Sequence, residues 1–191
     1  MIEYPIKRRP QAKLANYANL GMTLESDIEI TNLYYLNQGI AVIHKKPTPI
    51  QVVSVSYPAR NKAKITEAYY KTPSTTDFNG VYQGRYIDFD AKETNSKTSM
   101  PIKNIHPHQI EHLKSVMNQG GIAFLIVHFK KYNEYFLLPY AVLEQFWHLQ
   151  FDKEKGRKSI PYDAFKKQAY PIPFSYQPRL DYLKVIREHL L

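Results

Sequence analysis

The stretch STTDFNGVYQGRYIDFDAKET, residues 74–94, decides how this chain is read. Two candidate strands, FNGVYQG and RYIDFDAKET, flank one tight turn, so the segment reads as a hairpin that brings Asp77, Asp90 and Lys92 to one end of a sheet. Side chains alternate faces along a strand, which puts Tyr86, Asp88, Asp90 and Lys92 on one side and Ile87, Phe89 and Ala91 on the other. Three charged groups held that close need mutual neutralisation or a metal.

Two acids and a lysine in this arrangement suit hydrolysis of a phosphodiester with bound Mg²⁺. Carboxylates hold the hard cation through oxygen, and a lysine offsets negative charge that develops on the phosphate. Asp77, Asp90 and Lys92 fit those roles, with Thr75 and Gln109 as neutral oxygen donors that complete the metal shell. An acid two residues before a lysine also arises on any salt-bridged strand face, so the triplet alone does not decide the matter.

The composition limits the alternatives. At 191 residues, 43% apolar and 23% charged, the chain suits one globular domain. Its 26 Lys and Arg against 17 Asp and Glu leave a net charge of +9, which favours a polyanionic partner such as nucleic acid. No cysteine is present, so disulfides and thiolate metal sites are excluded. MIEYPIKRRPQAK has no apolar run of signal-peptide length and GIAFLIV is too short to span a bilayer, so a soluble, cytoplasmic protein is expected. There is no GxxxxGK[ST] loop for ATP-driven chemistry.

Outward from the hairpin, residues 1–20 read as a mobile basic arm carrying Arg8 and Arg9, and residues 21–191 as a single domain. Thr23 caps a first helix with Leu24, Ile28 and Leu36 on its apolar stripe and Gly39 as its stop. IAVIHKK and IQVVSVSYP read as strands. Residues 58–74 then break the pattern as an excursion in which Arg60, Lys62, Lys64 and Lys71 surround Tyr69 and Tyr70. Cations interleaved with aromatics meet phosphates and stack on exposed bases, while the bland reading packs the tyrosines on the body.

Beyond the hairpin, Pro107 opens a helix with Ile110, Leu113, Val116 and Met117 as its stripe and Gly120-Gly121 as its end. GIAFLIVHF and YFLLPY read as antiparallel strands, AVLEQFWHL as a helix with Phe146 and Trp147 as core aromatics, and DYLKVIREHLL as the last helix. Residues 152–168 read as a charged surface loop with a short helix. His106, His108 and His112 suggest zinc but lack further ligands at a suitable spacing, so histidines near a DNA phosphate are the better reading. The fold class expected is α/β, a mixed sheet flanked by helices.

Several long segments resemble the RecU family of Holliday junction resolvases, within the restriction-endonuclease-like nucleases: GMTLESDI, GIAVIHKKPTPIQVV, EAYYKTPSTTDFNGVYQGRYIDFDAKET, MPIKNIHPHQIEHLKSV and YQPRLDYL. The resemblance implies a restriction-endonuclease-like sheet and a homodimeric, Mg²⁺-dependent endonuclease that places paired symmetric nicks in four-way DNA junctions during recombination and repair, with Mn²⁺ as a substitute metal. It implies contact with a recombinase as well. The family's metal ligands fall on Thr75, Asp77, Asp90 and Gln109, and its transition-state lysine on Lys92. Glu25 matches a family acid that supports the site, and the excursion matches a stalk that inserts at the junction centre.

One departure from the family stands out, FDAK where FEAK is usual. Aspartate is one methylene shorter than glutamate, which bears on metal affinity and metal choice. Asp88, on the same face, is a further candidate whose spacing to Lys92 does not fit the motif. The substitution leaves room for a second function, a junction-binding or recombinase-modulating protein with weak or lost cleavage. A duplex-cutting enzyme of restriction type would need base-reading residues that one chain does not disclose.

Overall fold

The computed structural model describes residues 23–71, 75–154 and 156–191, so the basic arm with Arg8 and Arg9 lies outside the described residues. In chain order the first elements are α1 (Leu24–Asn37), β1 (Val42–Lys45), β2 (Ile50–Ser56), β3 (Lys64–Tyr70), β4 (Phe78–Tyr82) and β5 (Arg85–Thr94). Then come β6 (Ser99–Pro101), a short 3-10 helix (Ile102–Asn104), α2 (Pro107–Asn118), β7 (Ile122–Phe129) and β8 (Glu134–Pro139). The chain closes with α3 (Tyr140–Leu149), β9 (Ser159–Pro161), α4 (Tyr162–Gln168), β10 (Tyr170–Ile172) and α5 (Tyr182–His189).

The central sheet has six strands in the order β1-β4-β5-β7-β8-β10. Neighbours are antiparallel except β5 and β7, which run parallel because the chain crosses between them through α2. The crossover brings the first turn of α2 beside the middle of β5, where Gln109 donates to Asp90. The mixed α/β sheet faced by helices is the class the sequence predicts.

The hairpin forms as read. β4 and β5 pair through Val81↔Tyr86 and Tyr82↔Arg85, and the turn holds Gln83 at φ 49 and Gly84 at φ 74. Two positive φ angles in a two-residue loop match the right-handed twist of the strands, and glycine adopts them at little cost. On the other edge of β4 the backbone of β1 comes so close to Gly80 that an added Cβ would lie 2.1 Å from the Val42 carbonyl oxygen.

The period-2 pattern of β5 divides two cores. Ile87 and Phe89 face α1 and α5, where the rings of Phe78, Phe89 and Phe124 stack at 5.0 and 4.7 Å across three adjacent strands. The opposite face of the sheet packs Ala123, Leu125 and Val127 against Ile110, Leu113 and Val116 of α2. Asp88 and Asp90 point to that second side and are fully buried.

Several expectations need correction. β2 is a strand, but it pairs only with β3, so the excursion from the body begins at Ile50 and contains a strand of its own. Leu36 and Met117 are exposed, not on the buried stripes of α1 and α2. In α1 Leu24 and Ile28 are buried as expected, and the rest of the buried face is taken by Tyr35 with Asp27, Thr31 and Asn32, which bond to Asp181, Arg179, Leu180 and Tyr182 near the C-terminus. Phe146 and Trp147 are half-buried at the margin of the second core. Residues 152–154 and 156–158 are exposed and α4 is the short helix expected there, but Ile160 and Phe165 in the same stretch are fully buried. β6, β9 and β10 are too short to leave a periodic signal. Among the described residues, no helix is long and apolar enough to cross a membrane.

Candidate active site

Asp90 sits mid-way along β5, walled off from solvent by α2. Its Oδ2 accepts from Gln109 Nε2 at 2.5 Å and pairs with Lys92 Nζ at 2.6 Å, while Oδ1 takes the Ala91 amide at 3.0 Å. Lys92, two residues on, shares the face of Asp90 as alternation requires. Gln109 is fixed by the start of its helix: Pro107 occupies the first turn, and Gln109 Oε1 accepts the His106 amide at 3.0 Å. The oxygen of Gln109, the atom able to hold a cation, is thus committed to the helix cap, and its nitrogen faces Asp90.

Asp77 precedes β4 and meets Asp90 across the strand pair, the two carboxyl groups sharing a hydrogen bond. Burial, then the bond to Asp90 and its charge, push the Asp77 carboxyl from 3.8 up to about 7, against the pull of Lys92 and Lys45. Thr75, two residues before Asp77, is half-buried. The structure therefore gathers Asp77, Asp90, Lys92 and Gln109 at one place. The two carboxyls offer oxygens, and pressed together in a partly buried site they are what a hard divalent cation would neutralise, so this pair fits such an ion.

Glu25 pairs with Lys45 at 2.7 Å, as Glu29 does at 2.9 Å, and Lys45 in turn acts on Asp77 by its charge. Glu25 and then Glu29 hold the Lys45 ammonium above its ordinary value. Lys45 was not singled out in the sequence. Its signal, HKK at the end of a strand, does not say that β1 lies beside β4 with that end next to Asp77.

Asp88 belongs to a separate network. Its Oδ2 accepts from Lys46 Nζ at 2.8 Å, Tyr86 Oη at 2.8 Å and, at 2.9 Å, His112 Nε2, and its Oδ1 takes the Thr76 hydroxyl. The two buried aspartates of β5 thus have one lysine each, Lys46 for Asp88 and Lys92 for Asp90. The histidine reading changes accordingly. His106 and His108 stack on each other at 5.4 Å, and His112 turns to Asp88. No group of three His, Cys, Asp or Glu placed to hold a metal occurs among the described residues, and the three histidines form no zinc cluster.

The candidate nucleic-acid surface is the β2/β3 hairpin. Arg60, Lys62, Lys64 and Lys71 are exposed, as are Tyr69 at 61% and Tyr70 at 84%, so the tyrosines do not pack on the body. Strands of seven residues make the hairpin about 23 Å long. Exposed Ile50, Val52, Val53 and Ile65 give it little core of its own.

With its acids and lysine set on a mixed sheet, the chain belongs to the family described as Recombination protein U (RecU), whose model matches residues 19–188. It is 57% identical over 175 residues to the Holliday junction resolvase RecU of Staphylococcus aureus (strain JH9), covering 92% of this chain and 83% of that protein. It is 54% identical over 185 residues to the Holliday junction resolvase RecU of Staphylococcus epidermidis, covering 97% of this chain and 88% of that one. Among solved structures, Hjc, a Holliday junction resolvase of Archaeoglobus fulgidus, matches with a TM-score of 0.40 at 10% identity, over 73% of this chain and 88% of that one. That likeness is too low to bear on fold or function.

Proposed function

We propose that this chain is a Mg²⁺-dependent endonuclease that resolves Holliday junctions by paired nicks, one from each subunit of a two-fold dimer, in recombination and repair in the cytoplasm. The observation that carries the reading is the contact of Asp77 with Asp90, with Lys92 at 2.6 Å from Asp90. Membership of the RecU family and the names of the two staphylococcal relatives support it. The hairpin-borne acids on a mixed sheet support the restriction-endonuclease-like reading of the fold.

Asp77 and Asp90 would hold the cation through carboxylate oxygens, with Thr75 as a neutral donor; Gln109 would join them only by turning its amide so that the oxygen, now on the His106 amide, faces Asp90. When bound, such a cation polarises the phosphate and lowers the pKa of an attacking water. Lys92 brings a fixed positive charge to the place where the phosphate gains negative charge. α2 covers the site and keeps solvent from Asp90. On the β2/β3 hairpin, Arg60, Lys62, Lys64 and Lys71 would take phosphates, while Tyr69 and Tyr70 would stack on bases opened at the junction centre. Asp90 is shorter than the usual glutamate, yet it still reaches Lys92, Gln109 and Asp77, which favours cleavage over binding alone.

A labelled four-way junction incubated beside a linear duplex of the same sequence, with Mg²⁺, Mn²⁺ or chelator, tests this. Symmetric nicks on the junction alone, absent in chelator, are expected. A protein that binds the junction and never cuts it, in either metal, would make this a binding module.

A further inference from the structure

The sequence leaves Asp88 as a spare acid beside the motif. We propose that it is a positioning residue: its contacts with Lys46, Thr76, Tyr86 and His112 hold Asp77 against β5, and it is not itself a metal ligand. The inference rests on the metal-dependent reading above.

A carboxylate offers about four lone-pair sites, and Asp88, fully buried, has four partners. Those partners come from every segment that carries a candidate ligand. Thr76 lies between Thr75 and Asp77. Lys46 donates its side chain to Thr76 Oγ1 at 2.9 Å and its amide to the Asp77 carbonyl at 2.7 Å. His112 lies three residues after Gln109 on α2, so the same carboxylate anchors the helix that presents Gln109. Asp88 itself is two residues from Asp90 on one face of β5.

The need for such an anchor follows from charge. When both ionise, Asp77 and Asp90 repel, and the segment that carries Asp77 is free to relax away from β5 unless its backbone is held. The Lys46 amide, the Lys46 ammonium and the Thr76 hydroxyl hold it at adjacent residues. Because Lys46 neutralises Asp88, Lys92 is left to Asp90.

The test is Mn²⁺ affinity of the purified full chain by titration calorimetry, for wild type, Thr76→Val and Lys46→Met, with thermal melts and junction binding in chelator alongside. Thr76→Val removes one hydroxyl and keeps the volume, so a cooperative melt and unchanged junction affinity are expected. Partners that orient metal ligands typically contribute about 10- to 100-fold in metal affinity, and a weakening of that size is expected in both variants. If Lys46→Met fails to fold, Thr76→Val decides alone. Tighter Mn²⁺ binding by Lys46→Met would mean that the freed Asp88 is a ligand, which overturns the proposal. Affinities equal to wild type overturn it as well and leave the nuclease reading intact. A wild-type chain that takes up no Mn²⁺ overturns that reading and this proposal with it.

Discussion

Asp77 and Asp90 touch through their carboxyl groups, and that contact, with burial, raises the Asp77 pKa from 3.8 to about 7. The folded chain therefore binds this proton more tightly than the unfolded chain does. The stabilisation it gives is complete below about pH 4 and is lost as pH rises through about 7. Without metal, the melting temperature of the wild type should fall between pH 6 and pH 8, and Asp77→Asn should flatten that fall. Thermal melts in chelator at both pH values check it; an equal fall in both proteins defeats the assignment.

Asp77→Asn should also abolish nicking while leaving junction binding in place, because it removes a candidate metal donor and none of the exposed cations. Gel-shift and nicking assays on one junction separate the two. A mutant that cuts at the normal rate would show that the site lies elsewhere.

Lys92 is the cation paired with Asp90 at 2.6 Å. Lys92→Met should lower the nicking rate by about 100-fold or more, the usual loss when one group that stabilises transition-state charge is removed. Single-turnover nicking at saturating protein reads this without interference from binding. A loss confined to affinity would make Lys92 a substrate-holding residue only.

Asp90 is enclosed at 2.5 Å by Gln109 and 2.6 Å by Lys92, so an added methylene must displace one of them. Asp90→Glu should retain cleavage and change the Mg²⁺ and Mn²⁺ concentrations needed for half-maximal nicking. Superimposable metal titrations for the two proteins would show that the shorter acid makes no difference to metal handling.

Tyr69 and Lys64 are exposed on the β2/β3 hairpin and contribute little to the core. Tyr69→Ala and Lys64→Ala should change stability by no more than about 0.5 kcal/mol. Both should reduce preference for a four-way junction over duplex. An equal loss on the two substrates would reduce the hairpin to general electrostatics.

Gly80 tests the fold independently of the chemistry. Its absent Cβ would lie 2.1 Å from the Val42 carbonyl oxygen and 2.5 Å from Ile43 Cα, both backbone atoms. Gly80→Ala should destabilise by about 1–3 kcal/mol as β1 is forced from β4. Denaturant unfolding measures it, and an unchanged midpoint would mean that the strands separate at no cost.

The sequence by itself determined whatever depends on local periodicity. Alternation along residues 85–94 placed Asp88, Asp90 and Lys92 on one face and Ile87 and Phe89 on the other, and the structure keeps that division. Thr23, Pro107 and Gly120 marked helix ends because caps and turns are set by neighbouring residues. Only the tertiary structure decided partnerships between distant residues. Lys46 meets Asp88 across 42 positions, His112 meets it across 24, and Gln109 offers Asp90 its nitrogen while its oxygen caps α2. It also assigned β2 to the projecting hairpin and not to the central sheet, since an alternating strand does not specify its partner. Periodicity fixes which way a side chain points, and what it meets there depends on how separate elements pack.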